Sequence, residues 1–207
     1  ITYDEMLEMA SSGARVLMAR SVEFGRRYNV PIIVKPTFSE GSGTIVKDKV
    51  MEQAIVSGVT HNDKEIKFTL FGVPDQPGIA GKVFGPLSEN GVIVDMIVQN
   101  VSKESKTDIS FTAPLEQKSE VENILENLST ELEAEGADSD PNIARVSLIG
   151  AGMKAESGIA SKMFSILGEN KINIAMISTS PIRISCVVNK DDMQKAIDSL
   201  HKEFIEA

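Results

Sequence analysis

The stretch GVPDQPGIAGKVFGPLSENGVIVDMIVQN, residues 72–100, comes back in edited form as GAGMKAESGIASKMFSILGENKINIAMISTS, residues 150–180. One constant offset aligns Gly78 with Gly158 and keeps matching residues through to the Met-Ile pair near the end of each stretch. Chance similarity rarely holds one register over so many positions. The sequence therefore contains two copies of one supersecondary unit, and the remaining segments are expected to complete the domains that these copies begin.

Each copy is predicted to form a strand, a tight turn, a helix and a second strand. In the first copy, residues 67–73 alternate as a strand that enters a turn with two prolines and Gly78, which frees the backbone at the helix entrance. The helix ends at Asn90-Gly91, a usual C-terminal signal, and residues 92–98 alternate as the second strand. The apolar stripe of the helix, spaced i, i+3, i+4 and i+7, comprises Ala80, Val83, Phe84 and Leu87 in the first copy and Ala160, Met163, Phe164 and Leu167 in the second.

Further periodic segments extend both copies. After the first copy, residues 107–113 alternate as a strand, residues 117–132 carry a helical stripe, and the acidic segment 133–142 is predicted to be a linker. Each copy thus reads βαββα, whereas a βαββαβ sandwich needs a fourth strand. The corresponding segments of the second copy are strands at 145–149 and 183–188 and a final helix at 191–204.

The fourth strand of the second copy is predicted to come from residues 54–59, before the first copy begins. This arrangement inserts the first domain into the second. The fold class is therefore α+β, with two ferredoxin-like βαββαβ domains, the first inserted in the second, preceded by a fragment of helices and a strand. The predicted boundaries are 1–49 for the fragment, 64–142 for the first domain, and 50–63 plus 143–207 for the second.

The opening block is predicted to contain two helices and a short strand. Thr2 and Glu5 fit a capping box at the start of the first helix, the second helix is expected over 16–28, and the strand over 30–34. Such a block is too small to close a core alone, so it is expected to pack on other segments. The loop 38–44 is predicted to be a connector; phosphate contact is the alternative, although the Lys-Ser/Thr ending of a phosphate-binding loop is absent.

Composition narrows the function. The formal net charge is −9 and the pI is near 4.8, which argues against nucleic acid and against anionic membrane surfaces as partners. No apolar run reaches membrane-spanning length, and the single cysteine, Cys186, predicts a reducing cytoplasm and a core position. His61 and His201 are expected at the surface. The sequence shows neither a nucleophile–base pair nor metal-ligand spacing, so the chain does not look like a complete enzyme.

The turn before the first repeated helix has the chemistry to hold a free α-amino acid. The main-chain N–H groups of Ile79 and Ala80 would accept a carboxylate, Asp75 would hold an ammonium group, and Gln99 would hydrogen-bond a side chain. Two alternatives stay open. Asp75 only shapes the turn, or Asp95 and Gln99, which share a strand face, line a subunit interface.

Several motifs together resemble the C-terminal part of aspartate kinases. The stretch ITYDEMLEMA, residues 1–10, is similar to the end of the amino-acid-kinase domain. The motifs GVPDQPG (72–78), QNVS (99–102), VSLIGAGM (146–153) and ISTSPIRIS (177–185) resemble the paired ACT domains of the family. The resemblance covers essentially the whole chain.

The resemblance implies a regulatory role. The parent enzyme would phosphorylate the side-chain carboxylate of L-aspartate with MgATP as its substrate, in the biosynthesis of lysine, threonine, methionine and isoleucine. The ATP and aspartate motifs are absent here, so this chain alone is expected to be inactive and to carry no cofactor. Its expected partners are L-threonine, L-lysine, a second copy joined through the ACT sheets, and the kinase domain or a catalytic subunit.

The resemblance also implies residue roles. Lys162 stands where lysine-binding members can carry an acid, and its charge predicts weaker binding of lysine than of threonine. Two readings from other classes stay open: a stand-alone ACT-domain amino-acid sensor and a ligand-free dimerisation module. The residues expected to bind threonine are Asp75, Gly78, Ile79, Ala80, Gln99, Asn173 and Ile174. Those expected to bind lysine are Asp95, Met96, Ser102 and Ser180.

Overall fold

The computed structural model describes residues 1–48, 54–100, 105–154 and 156–206. The chain forms two compact units, one from Ile1–Asn62 with Ala144–Ala207 and the other from Asp63–Ile143. The described helices are α1 (Tyr3–Ser11), α2 (Ala19–Arg27), α3 (Ile79–Glu89), α4 (Lys118–Glu131), α5 (Ile159–Glu169) and α6 (Met193–Phe204). The described strands are β1 (Ile32–Val34), β2 (Thr44–Val46), β3 (Gly58–Asn62), β4 (Glu65–Pro74), β5 (Ile97–Gln99), β6 (Lys106–Pro114), β7 (Gly136–Asp140), β8 (Ile143–Ile149), β9 (Met176–Ser180) and β10 (Arg183–Asn189).

The unit 63–143 is a four-stranded antiparallel sheet with its helices packed on an apolar core. The strand order is β5-β6-β4-β7, which is the order of a βαββαβ ferredoxin-like domain. Phe111 stacks on Phe68 with ring centroids 5.4 Å apart and meets the ring of Phe84 edge-on at 5.5 Å. Most of the predicted helical stripes are confirmed, because the side chains of Val83, Leu87, Val121, Leu125 and Leu128 lie in this core. Ala80, predicted on the stripe of the first helix, is exposed, and Ile79 is buried instead.

The acidic segment after α4 is not a linker, as the sequence suggested, but holds the fourth strand of this unit. β7 has the sequence Gly-Ala-Asp-Ser-Asp, without apolar alternation, and it pairs along β4 from Lys67 opposite Asp140 to Phe71 opposite Gly136. An edge strand is held mainly by its main-chain ladder, and its outer side chains stay in water. The usual apolar signal of a strand is therefore missing.

β5 is shorter than the predicted strand over 92–98. The alternation of exposure is as expected, but Asp95 and Met96 both bond to Thr112: the Asp95 N–H donates to the Thr112 carbonyl, and the Met96 N–H donates to Thr112 Oγ1 at 3.2 Å. Asp95 and Met96 thus both oppose Thr112, as in a β-bulge, and the regular pairing of β5 with β6 begins only at Ile97.

The other unit contains the second repeated sheet, in the order β3-β8-β10-β9. β3 precedes the inserted unit in sequence and pairs antiparallel with β8, as predicted from the missing fourth strand. The strand begins four residues later than expected and covers 58–62 instead of 54–59. The apolar run Ala54-Ile55-Val56 suggested the earlier start. Val56 packs in the core of this unit, whereas the polar residues Thr60 and Asn62 pair with β8.

The two copies have closely similar local geometry. Gly78 and Gly158 are both N-caps in the left-handed region, with φ 89° and ψ −4° in the first and φ 95° and ψ −6° in the second. The helices also end alike, because the Nδ2 groups of Asn90 and Asn170 each donate to the carbonyl four residues earlier at 2.8 Å. The repeat is therefore present in the structure as well as in the sequence.

The opening block belongs to the same compact unit as the second copy. Thr2 and Glu5 form the predicted capping box, and α2 begins at Ala19, three residues later than expected. The predicted strand 30–34 is shorter, at Ile32–Val34, and pairs with β2. The apolar side chains of the block share a core with the end of β8, comprising Tyr3, Met6, Met9, Val22, Val46 and Ile149.

The predicted domain boundaries stay a prediction.

None of the described helices is long and apolar enough to cross a membrane.

Candidate effector site

The turn between β4 and α3 carries the main group of predicted threonine ligands. The Asp75 N–H donates to the Ser105 carbonyl at 2.8 Å, which fixes the turn against the start of β6. Its side chain is exposed, as are Gln76, Pro77 and Gly78. Gly78 then enters α3 without a side-chain cap, and a Cβ built on it meets no atom within 4 Å. The turn thus presents an open helix N-terminus beside a free carboxylate.

The two residues whose N–H groups are expected to bind a carboxylate differ in hydrogen bonding and in exposure. The Ile79 N–H already donates to the Gln76 carbonyl at 3.2 Å, and the Ile79 side chain is buried in the core. Ala80 is exposed. The helix dipole and the following main-chain N–H groups remain directed at the open side of the turn. An anion here would therefore contact the first turn of α3 beyond Ile79.

Gln99 lies on the same sheet but further along it. Asp75 is bonded to Ser105 at the start of β6, whereas Gln99 pairs with Ile109 on the other side of that strand. The two partner residues on β6 are about 13 Å apart along the strand. The structure thus brings Asp75, Gly78 and Ala80 together and holds Gln99 at a distance from them within this unit.

The remaining predicted ligands are dispersed. Asn173 is exposed and Ile174 is half-buried, and both lie between α5 and β9 in the unit that contains the second copy. Asp95 is exposed next to the bulge, and Met96 is only 1 % exposed. Ser180 is half-buried at the end of β9. Ser102 lies outside the described residues.

Lys162, expected to repel lysine, faces the C-terminal helix. Its Nζ lies 3.3 Å from Glu203 Oε2 and 5.0 Å from the centroid of the Phe204 ring. An opposite charge and an aromatic face partly compensate the ammonium charge. The contact ties the first turns of α5 to the end of α6.

Glu5 is a buried site residue that sequence reasoning did not single out beyond its capping role. Its carboxylate accepts from the Thr2 N–H and Oγ1 at 2.8 Å each, from Ser57 Oγ at 2.6 Å and from the Ala151 N–H at 2.9 Å. Burial acts to raise the pKa of Glu5, but these hydrogen bonds outweigh it and hold the pKa below its ordinary value. Only the Thr2 contacts are local in sequence, so the capping-box motif was the one signal available.

Two clefts within the units do not contain any predicted ligand. One, of about 520 Å³, lies between α4 and β7 and has an acidic rim with Glu122, Glu126 and Asp138. The other, of about 430 Å³, lies between α5 and α6. Among the described residues, no group of three or more His, Cys, Asp or Glu side chains is placed to hold a metal ion. The buried Cys186 thiol has a pKa raised by burial to about 12, so it stays protonated and inert.

Comparison with known proteins identifies the repeated domains. ACT-domain models match residues 67–133 and 146–204. An aspartate kinase of Pseudomonas fluorescens is 46% identical over 207 residues, covering 99% of this chain and 50% of that protein. The chain therefore spans about half the length of the curated relatives it matches.

Solved structures agree. The ligand-free regulatory subunit of aspartate kinase from Thermus thermophilus is 37% identical with a TM-score of 0.69, covering 72% of this chain and 99% of that one. The E. coli aspartokinase III complex with lysine and aspartate has the same fold, with a TM-score of 0.73 at 23% identity, covering 99% of this chain and 46% of that one. The repeated ACT fold, the identity and the near-complete coverage of a regulatory subunit lead to one conclusion: this chain belongs to the aspartate kinase family and is a regulatory region of it.

Proposed function

We propose that this chain is the feedback sensor of an aspartate kinase and that it binds a free α-amino acid at the turn 75–80. The observation that carries the proposal is the uncapped N-terminus of α3 beside the exposed carboxylate of Asp75. The ligand carboxylate would face the helix N-terminus and its ammonium group would face Asp75. A free amino acid is the small molecule that carries both charges on one carbon.

Threonine is the first expected effector and lysine the second. The proposed threonine ligands are the turn 75–80 with Gln99, Asn173 and Ile174. E. coli aspartokinase III, which shares this fold, is known in a complex with lysine and aspartate, so lysine is retained as a candidate. The contact of Lys162 with Glu203 and Phe204 supports a weaker repulsion of lysine than the bare charge suggests.

The proposed role extends to the whole enzyme. Its kinase part would transfer a phosphoryl group from MgATP to L-aspartate, and this chain would supply regulation and no chemistry of its own. Effector binding would favour one arrangement of the paired ACT domains, in a homodimer joined through their sheets, and would shift the kinase to a less active state. Such an enzyme would work in the cytoplasm.

Titration calorimetry of the chain with L-threonine and with L-lysine tests the proposal. Asp75→Asn keeps the shape of the side chain and removes the charge that would meet the ammonium group. A hydrogen bond to a charged group contributes about 1.5–3 kcal/mol, so the dissociation constant for the effector should rise by about ten- to a hundredfold.

The matched control is Asp138→Asn, at an exposed aspartate of the same unit on the far strand β7, which should bind the effector like the unchanged chain. Unchanged affinity in Asp75→Asn would show that the assigned site is wrong. No heat with either amino acid would favour the ligand-free dimerisation module.

A further inference from the structure

The two copies fix the end of their first strand in different ways. In the first copy, the Gly72 N–H donates to the carboxylate of Asp108 at 2.9 Å. Asp108 lies on β6 of the same unit, so this end of β4 is held from within its own unit. The acceptor is a carboxylate, which makes the hydrogen bond stronger than one to a neutral group.

The second copy has an arginine where the first has that aspartate. Ile97 pairs with Phe111 in the first sheet, and the equivalent Ile177 pairs with Cys186 in the second. Three residues before these partners lie Asp108 and Arg183. A guanidinium group cannot accept a hydrogen bond, and Gly150, which aligns with Gly72, donates its N–H to the Ile182 carbonyl at 3.1 Å instead of to a carboxylate.

In the second copy, helix α1 supplies carboxylates to the residues beside this position. Ala151 lies two residues after the end of β8, and its N–H donates to the Glu5 carboxylate at 2.9 Å. Glu8, one turn later on α1, places Oε2 3.3 Å from Nη1 of Arg183, and both side chains are largely buried, at 28 % and 17 % exposure. The charge that is internal in the first copy is therefore provided in the second by a segment outside the repeat.

We propose that Glu5 is a positioning residue for the strand-to-helix loop 150–158, and that docking of α1 and the conformation of this loop form a single equilibrium. The inference rests on the proposed function in one respect, because the loop is the second copy of the proposed effector turn. Its physical basis is independent of any ligand.

Main-chain atoms of residues 54–56 pack closely against the start of the loop. A Cβ on Gly150 would lie 2.2 Å from the Ile55 carbonyl oxygen, and one on Gly152 would lie 2.7 Å from the Ile55 Cα. The segment beside them is tied to the same carboxylate, since Ser57 Oγ donates to Glu5. Displacing Ala151 would leave the 2 % exposed Glu5 carboxylate without one of its donors, and moving Ser57 with it would remove a second, in a site that water scarcely reaches.

The consequence for regulation is directional. An amino acid that binds the loop as it stands would hold α1 in place, and one that requires another loop conformation would release it. The block 1–48 that contains α1 resembles the end of a kinase domain. The pair Glu5 and Ala151 is thus a direct connection between the second effector turn and that block.

Hydrogen exchange followed by mass spectrometry on the whole chain tests the link without any ligand. Glu5→Ala should raise exchange about tenfold or more both in peptides covering 150–158 and in peptides covering α1. The matched control is Asp108→Ala, which removes the internal carboxylate of the first copy; exchange should rise near Gly72 and stay unchanged in α1. Ser57→Ala, which leaves the carboxylate in place, should give a smaller change with the same pattern as Glu5→Ala.

The single equilibrium would be overturned if both variants, Glu5→Ala and Ser57→Ala, exchanged faster in only one of the two segments. It would also be overturned if neither segment changed. If Glu5→Ala does not fold, Ser57→Ala decides by the same criterion. The amino-acid titration separates this inference from the proposed function: coupled exchange in a chain that binds no amino acid would keep the link and reject the sensor.

Discussion

Gly150→Ala should destabilise the unit that contains the second copy, because main-chain atoms occupy the space of the new methyl group. A Cβ at this position would lie 2.2 Å from the Ile55 carbonyl oxygen and 2.7 Å from the Val56 Cα. Neither atom belongs to a flexible side chain, so relief requires the segment before β3 to move away from the end of β8. That movement strains the bond from the Ser57 N–H to the Ile149 carbonyl, at 2.6 Å.

The expected cost is at the upper end of that for overpacked sites, about 3 kcal/mol. For a chain of this size, about 2–4 °C is lost per kcal/mol, so the Tm should fall by about 6–12 °C. Urea unfolding monitored by circular dichroism would measure the free energy of unfolding, and a thermal scan would measure the Tm.

Gly168→Ala is the matched control in the same unit. Gly168 lies in α5, is exposed, and a Cβ there meets no atom within 4 Å. Alanine is a better helix former than glycine, so this variant should gain up to about 1 kcal/mol. If Gly150→Ala unfolds within about 0.5 kcal/mol of the unchanged chain, which is the range of a neutral surface substitution, the close approach of residues 55 and 150 is wrong.

Two further predictions concern the core of the inserted unit and the buried carboxylate. Phe111→Ala removes a fully buried ring that contacts Phe68 and Phe84, and should lower the free energy of unfolding by about 3–5 kcal/mol in urea; a loss below about 1 kcal/mol would contradict the packing. The pKa of Glu5 lies below 4.5 in the folded chain, so its stabilisation is complete above pH 4.5 and disappears as the pH falls through the folded value. The difference in unfolding free energy between the unchanged chain and Glu5→Gln should therefore shrink below pH 4.5, and an equal difference at pH 7 and pH 3 would refute the assignment.

The sequence predicted the parts of the fold that repeat or alternate. The helical stripes through Val83 and Leu87 and the capping box of α1 were recognisable because their contacts are local or periodic. β7 was missed because an edge strand of Gly, Ala, Asp and Ser carries no apolar pattern. The start of β3 was misplaced because its position depends on pairing with β8, far along the chain, and not on the nearby apolar residues.

Some features of the candidate site were likewise predictable from the sequence, and others were not. The turn at Asp75 and Gly78 was predicted from turn chemistry, and the structure places both at the open start of α3. The role of Glu5 was not predictable, because Ser57 and Ala151 approach it only in the folded chain. The predicted apolar stripe began at Ala80, whereas the structure buries the Ile79 side chain and exposes Ala80; the spacing i, i+4 from Ile79 to Val83 was the available signal.

The insertion of one domain into another also affects the order in which the chain can fold. β3 and β8 are about 80 residues apart in sequence, and closing a flexible loop of that length costs about 4 kcal/mol in chain entropy. Within the inserted unit, Lys67 pairs with Asp140, so the two ends of that unit lie side by side once it has folded. A folded insert therefore shortens the effective loop between β3 and β8 to a few residues. The first repeat in the sequence then prepares the closure of the second, and the outer sheet forms at about half the entropy cost of a continuous unfolded loop.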